Sequence, residues 1–429
     1  MWRVQYRPRW MLTREFRKLW LGQAISAVGS AVTILALPLT AALTLGATPE
    51  QMGVLTAVGW LPYLLFALFA GAWSDRLPRK PILVATDLAR AAVLVTIPLA
   101  AFAGMLRIEH VLAVAFVAGS MTVLFRSAYG PFIPVLVGRD ALVEANAKLA
   151  LTESVARVVG PSLGGLLVQV ITAPLAILID ALSFVVSAIA VASVRVRETP
   201  PPRAARRSIW SEIAEGMRVL LANPFTRSVT VIGLLFNAAI TIGDAIFILY
   251  LTRELGLDGA LIGVIYMVGG LSSVAGATLV QRTTARFGLG PSMVGSILFF
   301  TLAGVLVLAA SGPPVVATAY LAVRGAIVSF CAAVFNVTST SVWQGAIPDR
   351  LLGRVGGAGQ VIGLGLIPIS ALAGGWLGEH VGLWNTLAIS VGGQFVAFLY
   401  VAVSPLRRIR TTADLTGLTR ANFPEPQPR

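Results

Sequence analysis

Residues 71–80 read Gly71-Ala72-Trp73-Ser74-Asp75-Arg76-Leu77-Pro78-Arg79-Lys80, a basic turn that closes one apolar run, Met52–Trp73, and opens the next, Ile82–Met105. Each run carries the roughly 20 residues a helix needs to cross the hydrocarbon of a bilayer, so two spans joined by a tight turn are expected here. The pattern continues in both directions. Upstream lies Leu19–Leu45; downstream lie Val111–Val135, Leu149–Ile171 and Pro174–Val194, then Ser228–Leu251, Leu261–Val280, Met293–Ala310, Val315–Trp343, Val355–Leu377 and Leu383–Val403. Inside lipid only helices and closed barrels satisfy the backbone, and these runs are too long and continuous for barrel strands. The expected fold is an all-α membrane protein of twelve transmembrane helices.

Composition agrees. Of 429 residues, 56% are hydrophobic and 12% charged, with a mean hydropathy of +0.83, whereas about 25% of a soluble protein is charged. Disorder, collagen, coiled coils and disulfide-stapled folds are excluded by the same figures. The single cysteine, Cys331, permits no internal disulfide and no CxxC motif. Two histidines, His110 and His380, fall at short turns, so no histidine-built metal or haem site and no Ser-His-Asp arrangement is expected. No phosphate-binding Gly-x-x-x-x-Gly-Lys-Ser/Thr loop occurs. The chain therefore reads as a protein that is not an enzyme and needs no cofactor.

The net charge of +14 has a topological explanation. With the N-terminus placed inside, four of the 33 Lys and Arg lie within runs (Arg90, Arg126, Arg157, Arg324) and two fall outside (Arg107, Arg253), which leaves 27 on the cytoplasmic side. That bias predicts both termini in the cytoplasm and accounts for the basicity without nucleic acid. The first run is far longer than a signal-peptide core and lacks an Ala-x-Ala site, so it is expected to remain as the first helix. A bacterial cytoplasmic membrane, with lipid as a partner and the chain as a monomer, is the expected setting.

The runs divide into two sets of six. A segment 1–18 precedes a bundle at 19–194; a linker, 195–227, leads to a second bundle at 228–403 and a polar tail, 404–429, expected to be disordered. The linker holds seven arginines and Pro200-Pro201-Pro202, and Ile209, Ile213, Met217, Leu220 and Leu221 fall on one helical face. That face suits a helix lying on the inner membrane surface; a featureless tether is the alternative. The halves echo each other near an offset of 210: Gly164-Gly165 is matched by Gly374-Gly375, and Pro134 to Asp140 by Gln344 to Arg350.

The 71–80 stretch resembles the signature Gly-x-x-x-Asp-Arg-x-Gly-Arg-Lys of the major facilitator superfamily, with Pro78 replacing the second glycine. The resemblance implies two pseudo-symmetric six-helix bundles around a cavity at the membrane midplane. It also implies a conformational latch in Gly71, Asp75, Arg76, Arg79 and Lys80; a merely positive-inside loop is the alternative. Gly160-Pro161-Ser162-Leu163-Gly164-Gly165 is similar to the core of the motif associated with exporters of that superfamily, although Ala156 stands where the longer form has glycine. Physically the glycines allow close helix packing, and Pro161 removes a donor and bends the helix. Stretches around Trp20-Leu21-Gly22-Gln23, Asp140 to Asn146, Ile179 to Phe184 and Pro348 to Arg354 resemble the branch containing enterobactin exporters and macrolide efflux proteins.

Charges within spans are costly and default to functional candidates with partners. Asp244 and Arg324 come out at similar depth in the seventh and tenth spans, and an Asp244–Arg324 pair that makes and breaks on protonation or substrate binding is expected; a structural ion pair is the alternative. Asp180 is a further coupling candidate. Asp87, Arg90, Arg126, Glu153 and Arg157 are expected to form a cytoplasmic-side network with Asp75. By the resemblance, spans one, four, seven and ten line the cavity, with Gln23, Ser26, Tyr129, Asn237, Asn336 and Thr340 offering hydrogen bonds and Phe125, Phe236, Phe247 and Phe335 offering apolar walls. Aromatic walls with few polar groups suit amphipathic small molecules. The reading is a secondary active exporter of such molecules by proton antiport; an importer or lipid flippase of the same fold, or a non-transporting receptor or scaffold, are the alternatives.

Overall fold

The computed structural model describes residues 13–74, 77–138, 141–196, 198, 217–218, 220–222, 224–347, 349–411 and 414. Twelve long helices follow one another: α1 (Arg14–Leu39), α2 (Pro49–Ser74), α3 (Arg79–Phe102), α4 (Ile108–Val137), α5 (Leu142–Ile171), α6 (Ala173–Ala192), α7 (Pro224–Leu249), α8 (Gly259–Phe287), α9 (Leu289–Ala309), α10 (Pro314–Ala346), α11 (Asp349–His380) and α12 (Leu383–Val403). Among the described residues, ten helices are long and apolar enough to cross a membrane. Several overshoot their apolar runs, because helical hydrogen bonding continues where polar side chains take over. Thus α1 starts five residues before Leu19, where Thr13 Oγ1 accepts the Phe16 N–H at 3.2 Å and caps an otherwise unpaired first turn.

The packing of the first six helices recurs in the second six. In the first set α1 packs on α5 and α6, α3 on α4 and α6, and α2 on α4; in the second, α7 packs on α11 and α12, α9 on α10 and α12, and α8 on α10. The chain details repeat as well. A π-helical turn, Thr40–Thr44, ends α1 and another, Tyr250–Glu254, ends α7, with Gly46 and Gly256 at φ +62° and +61° two residues beyond. From Thr40 to Tyr250 is 210 positions. Only glycine takes that left-handed conformation without strain, so each reverses the chain toward the next helix.

Contacts between the sets run mainly through α2 against α11 and α5 against α8. One apolar core, containing Leu35, Val114, Ile177, Leu249, Ile262 and Leu383, spans both sets at the end that carries the π turns. Toward the opposite end the cores separate: Leu19, Leu83 and Phe132 belong to one, Ile232, Met293 and Val401 to another. The molecule is therefore closed at one end of the seam.

At the other end a returning segment caps α3 and α9. The Arg79 and Lys80 N–H groups donate to Glu198 Oε2 and Oε1 at 2.6 and 2.8 Å. The residues 210 positions on, Leu289 and Gly290, donate instead to the carbonyls of Arg410 and Ile409 at 3.1 and 2.8 Å. Residues 404–411, which the sequence reading gives to a disordered tail, thus form an ordered strap, with Leu406 and Ile409 buried. Asp414 holds that strap: its carboxyl lies below the ordinary range because the Thr411 and Arg410 N–H groups donate to it. Of the linker, Ile209, Ile213 and the proline run lie outside the described residues; Leu220 is buried, and its carbonyl accepts from Thr226 Oγ1 at 2.8 Å.

Candidate transport cavity

Glycines set how closely the two bundles meet. A Cβ on Gly165 would overlap the Gly259 carbonyl oxygen and stand 2.7 Å from Gly263 Cα, while Gly160 presses on Ala31 and Gly164 on Val32. In α11 the pattern repeats, Gly374 facing Ile242 of α7 and Gly375 facing Pro49 and Gly53 of α2. The first glycine of each pair packs within its bundle and the second across the seam. Pro161 lies inside α5 at this crossing, where it offers no backbone N–H to the helix. Two polar contacts reinforce the closed rim: Arg253 Nη2 donates to the Ala47 carbonyl at 2.7 Å, and His380 Nδ1 lies 3.9 Å from Glu50 Oε1.

Behind that closure the seam holds two contiguous chambers. The larger, about 930 Å³, is lined by Thr56 and Trp60 of α2, Asn237 and Asp244 of α7, Asn336, Thr340 and Trp343 of α10, and Gly359 and Gly363 of α11. The deeper, about 500 Å³, is lined by Ile34, Arg157, Phe247, Tyr266 and Arg324. Thr56, Ile240 and Asp244 line both, so Asp244 stands at their junction. Arg324 lies with its guanidinium carbon 4.9 Å from the Phe247 ring centroid, a cation–π contact, and its Nε is buried without a hydrogen bond. Asp244 and Arg324 face the same chamber, yet among the described residues they form no ion pair.

The other candidates divide. Asn237, Asn336, Thr340 and Phe247 line the chambers. Gln23, Ser26, Phe125 and Tyr129 line neither: Gln23 Nε2 donates to Ser187 Oγ at 2.7 Å, Ser26 is buried, and Phe125 stacks on Tyr129 at 5.4 Å. Phe236 packs edge-on against Phe300 at 4.8 Å and leans on Phe335 at 6.1 Å, behind the wall rather than in it. Of the expected walls, α1 contributes Ile34 and Pro38 to the deeper chamber and α4 lines neither, while α2 and α11 supply wall that was not expected. Trp60, Thr56 and Tyr266 went unnoticed in the sequence; a polar or amphipathic residue one or two turns from a seam glycine was the available signal.

The expected cytoplasmic network also divides. Asp87 and Arg90 form a buried ion pair, and Ser187 Oγ donates to Asp87 Oδ2 at 2.6 Å. Arg90 lies over Phe184 at 4.0 Å and Phe125 at 4.6 Å. Arg126 is exposed, and among the described residues it joins no ion pair with them. Glu153 and Arg157 pair with each other at 3.8 Å on an exposed face, and Arg157 reaches the deeper chamber. Asp75 and Arg76 lie outside the described residues. Gly71 falls within the last turn of α2. Arg79 Nη1 donates to the Pro131 carbonyl at 3.0 Å and Lys80 Nζ to the Val194 carbonyl at 2.8 Å, both within their own bundle.

The sequence profile of the Major Facilitator Superfamily matches residues 19–369. The chain belongs to that superfamily. Among curated superfamily members, it is 24% identical over 416 residues to macrolide efflux protein A of Streptococcus pyogenes, covering 92% of this chain and 96% of the relative. It is 25% identical over 414 residues to the enterobactin exporter EntS of Escherichia coli, covering 92% and 94%. Among solved structures, a bacterial homologue of the iron transporter ferroportin superposes with a TM-score of 0.72 in its inward-facing state, at 16% identity, covering 91% of this chain and 98% of that one. The outward-facing state gives 0.57 over 91% and 99%. The fold is thus that of superfamily transporters, multi-pass and membrane-embedded.

Proposed function

We propose that this chain is a secondary active exporter of amphipathic small molecules, working by alternating access with a proton gradient as its energy source. The observation that carries the reading is the chamber between two like bundles, closed at one rim by glycine contacts, apolar in most of its wall and charged only at depth by Asp244, Arg324 and Arg157. Such a site holds an apolar body loosely and orients it through a few polar groups. The efflux and export activities named for the relatives support the direction of transport.

In this reading all twelve helices span the bacterial cytoplasmic membrane as two bundles, 19–194 and 228–403, with both termini in the cytoplasm, where most of the Lys and Arg lie. The closed rim then faces outward, and the structure is the inward-facing state. Substrate reaches Asp244 at the junction of the chambers and changes its attraction to Arg324; the bundles then rock and the outer seam parts. The turn at Arg79 and Lys80 is the latch of the opposite state, released here. The substrate range includes drugs, siderophores and other secondary metabolites.

Everted membrane vesicles test this. Substrate should accumulate inside them under an imposed proton gradient, and Asp244→Asn should weaken binding of the amphipathic dye ethidium at least tenfold. Accumulation in right-side-out vesicles instead would establish import. No gradient-dependent movement of any amphipath would refute transport.

A further inference from the structure

The first bundle contains charges that the cavity does not use. Asp180 of α6 is 1% exposed and Asp87 of α3 is fully buried. Arg90 is the cation between them: it pairs with Asp87 and stands within electrostatic reach of Asp180. The hydrogen-bond partners of Asp180 are hydroxyls, Ser183 Oγ at 3.1 Å and Ser30 Oγ at 3.4 Å, with the Thr33 hydroxyl also acting on it. Gly29 of α1 makes the space, since a Cβ there would lie 2.8 Å from Asp180 Oδ1.

The same crossing in the second bundle shows that the fold does not require these charges. At an offset of 210, Asp87 corresponds to Ile297, Arg90 to Phe300, Asp180 to Ser390 and Ser187 to Ala397. Ile297, Phe300 and Ser390 are buried there, and Ser390 Oγ simply donates to the Ala239 carbonyl at 2.7 Å. Buried ion clusters are commonly replaceable by apolar packing without loss of stability, and this molecule contains both versions of one crossing. The charged version therefore calls for another explanation.

Charge counting supplies it. Two carboxylates and one guanidinium, sealed from water, carry one negative charge too many, and membrane interiors penalise an unpaired charge. One proton removes the excess. Asp87 has the salt bridge and a hydroxyl donor, whereas Asp180 has hydroxyls alone, so the proton belongs on Asp180. Among the described residues no other charged side chain faces it. Helix α1 offers Ser30 and Thr33, α3 offers Arg90 and Asp87, the charged pairs of α5 are exposed, and the π turn Thr40–Thr44 has no titratable group. Tyr63 of α2 acts only on Arg90. Ser30 lies one helical turn before Ile34, which lines the deeper chamber, so a hydroxyl stands between Asp180 and the cavity wall.

We infer that Asp180, balanced against Asp87 and Arg90, is a proton-binding site inside the first bundle, separate from the substrate chambers between the bundles. The proton moves on and off the Asp180 carboxyl oxygen, and no other bond changes. The inference deepens the exporter reading, on which its transport role rests, by giving proton and substrate different places.

Infrared difference spectra of the purified full-length protein read the proton directly. The wild-type protein should show the carbonyl stretch of a buried carboxylic acid at neutral pH. Asp180→Asn should remove it, and so should Asp87→Asn, which leaves Asp180 intact but makes one carboxylate and one guanidinium balance. Persistence of the band in Asp87→Asn would overturn the charge count, and a wild-type spectrum without it would overturn the site. In proteoliposomes Asp180→Asn should bind ethidium within about twofold of the wild type and let it equilibrate, while losing all accumulation driven by a pH gradient. Full uphill accumulation by that variant would refute the inference. If the wild type itself moves no dye, the exporter reading fails, and the infrared result still decides the proton site.

Discussion

Gly165→Ala probes the outer seam with a single methyl group. The added Cβ would overlap the Gly259 carbonyl oxygen and stand 2.7 and 2.9 Å from Gly263 Cα and N. All three are backbone atoms of α8, so no rotamer change relieves the contact; the helices must separate. Overpacking of this kind costs about 1–3 kcal/mol. On the proposed alternating-access reading, the methyl group meets nothing once the outer seam is open, so the cost falls on the inward-facing state alone. The ratio of outward to inward conformers should rise about 5- to 150-fold. Spin labels at Met105 and Val315, 73% and 72% exposed near the closed rim on opposite bundles, would report the change as a longer pulsed dipolar distance, with Cys331 replaced by Ser to remove the background thiol. Transport should slow, because return to the inward state becomes limiting. An unchanged distance distribution with unchanged transport would show that the α5–α8 contact is not the outer closure, and the assignment of conformational states would be wrong.

Other substitutions test separate parts of the argument. Arg253→Ala removes the hydrogen bond to the Ala47 carbonyl, worth about 0.5–1.5 kcal/mol, and should raise the outward population about 2- to 12-fold in the same labelling experiment. Arg90→Ala leaves Asp87 buried without its cation and should destabilise the fold by about 3–5 kcal/mol, read as a fall in thermal midpoint in detergent; an unaltered midpoint would mean that water reaches the pair. Glu198→Gln retains one acceptor for the two N–H groups at the start of α3, and amide exchange at Arg79 or Lys80 should quicken by about fivefold, consistent with a capping loss of about 1 kcal/mol. The Asp414 carboxyl is lowered from 3.8 by the N–H groups of Thr411 and Arg410, so its hold on the strap is complete above that ordinary value and is lost as pH falls through the lower folded one. Exchange at Arg410 and Thr411 should stay flat down to that range and then accelerate; acceleration near neutrality would contradict the assignment.

Much of the fold is legible because span length and backbone satisfaction leave so few options in lipid. The apolar runs, the 210-residue repeat and the Gly164-Gly165 to Gly374-Gly375 correspondence all have direct structural counterparts. The site was less legible, since depth along a helix follows from counting whereas rotation about its axis does not. Asp244 and Arg324 do line one chamber, but their failure to pair depends on where α7 and α10 point them. Phe125 and Phe236 look like Phe247 in the sequence, yet they face Arg90 and Phe300 rather than the cavity. Arg126 and Arg157, expected beside Asp87, point elsewhere. Glu198 could not be found by local pattern at all, because it caps a helix 119 positions earlier in the chain.

The asymmetry between the bundles joins these points. Rocking needs bundles that move as units past a seam that parts at little cost. Glycine-to-backbone contact gives such a seam, because parting it breaks no polar bond at the glycines themselves, and the described polar contacts at the rim are the Arg253 hydrogen bond and the exposed His380–Glu50 approach. A charge cluster placed in that seam would be exposed and sealed in turn, changing its solvation at every cycle. The Asp87–Arg90–Asp180 cluster sits instead at a crossing of α1, α3 and α6 within one unit, where rigid-body motion leaves its partners in contact. On the proposed reading, a proton there changes the balance between α1 and α6 while substrate, at Asp244 on α7, acts on the other bundle. On this arrangement the two ligands communicate only through the relative position of the bundles, so mutual exclusion need not depend on their competing for one carboxylate.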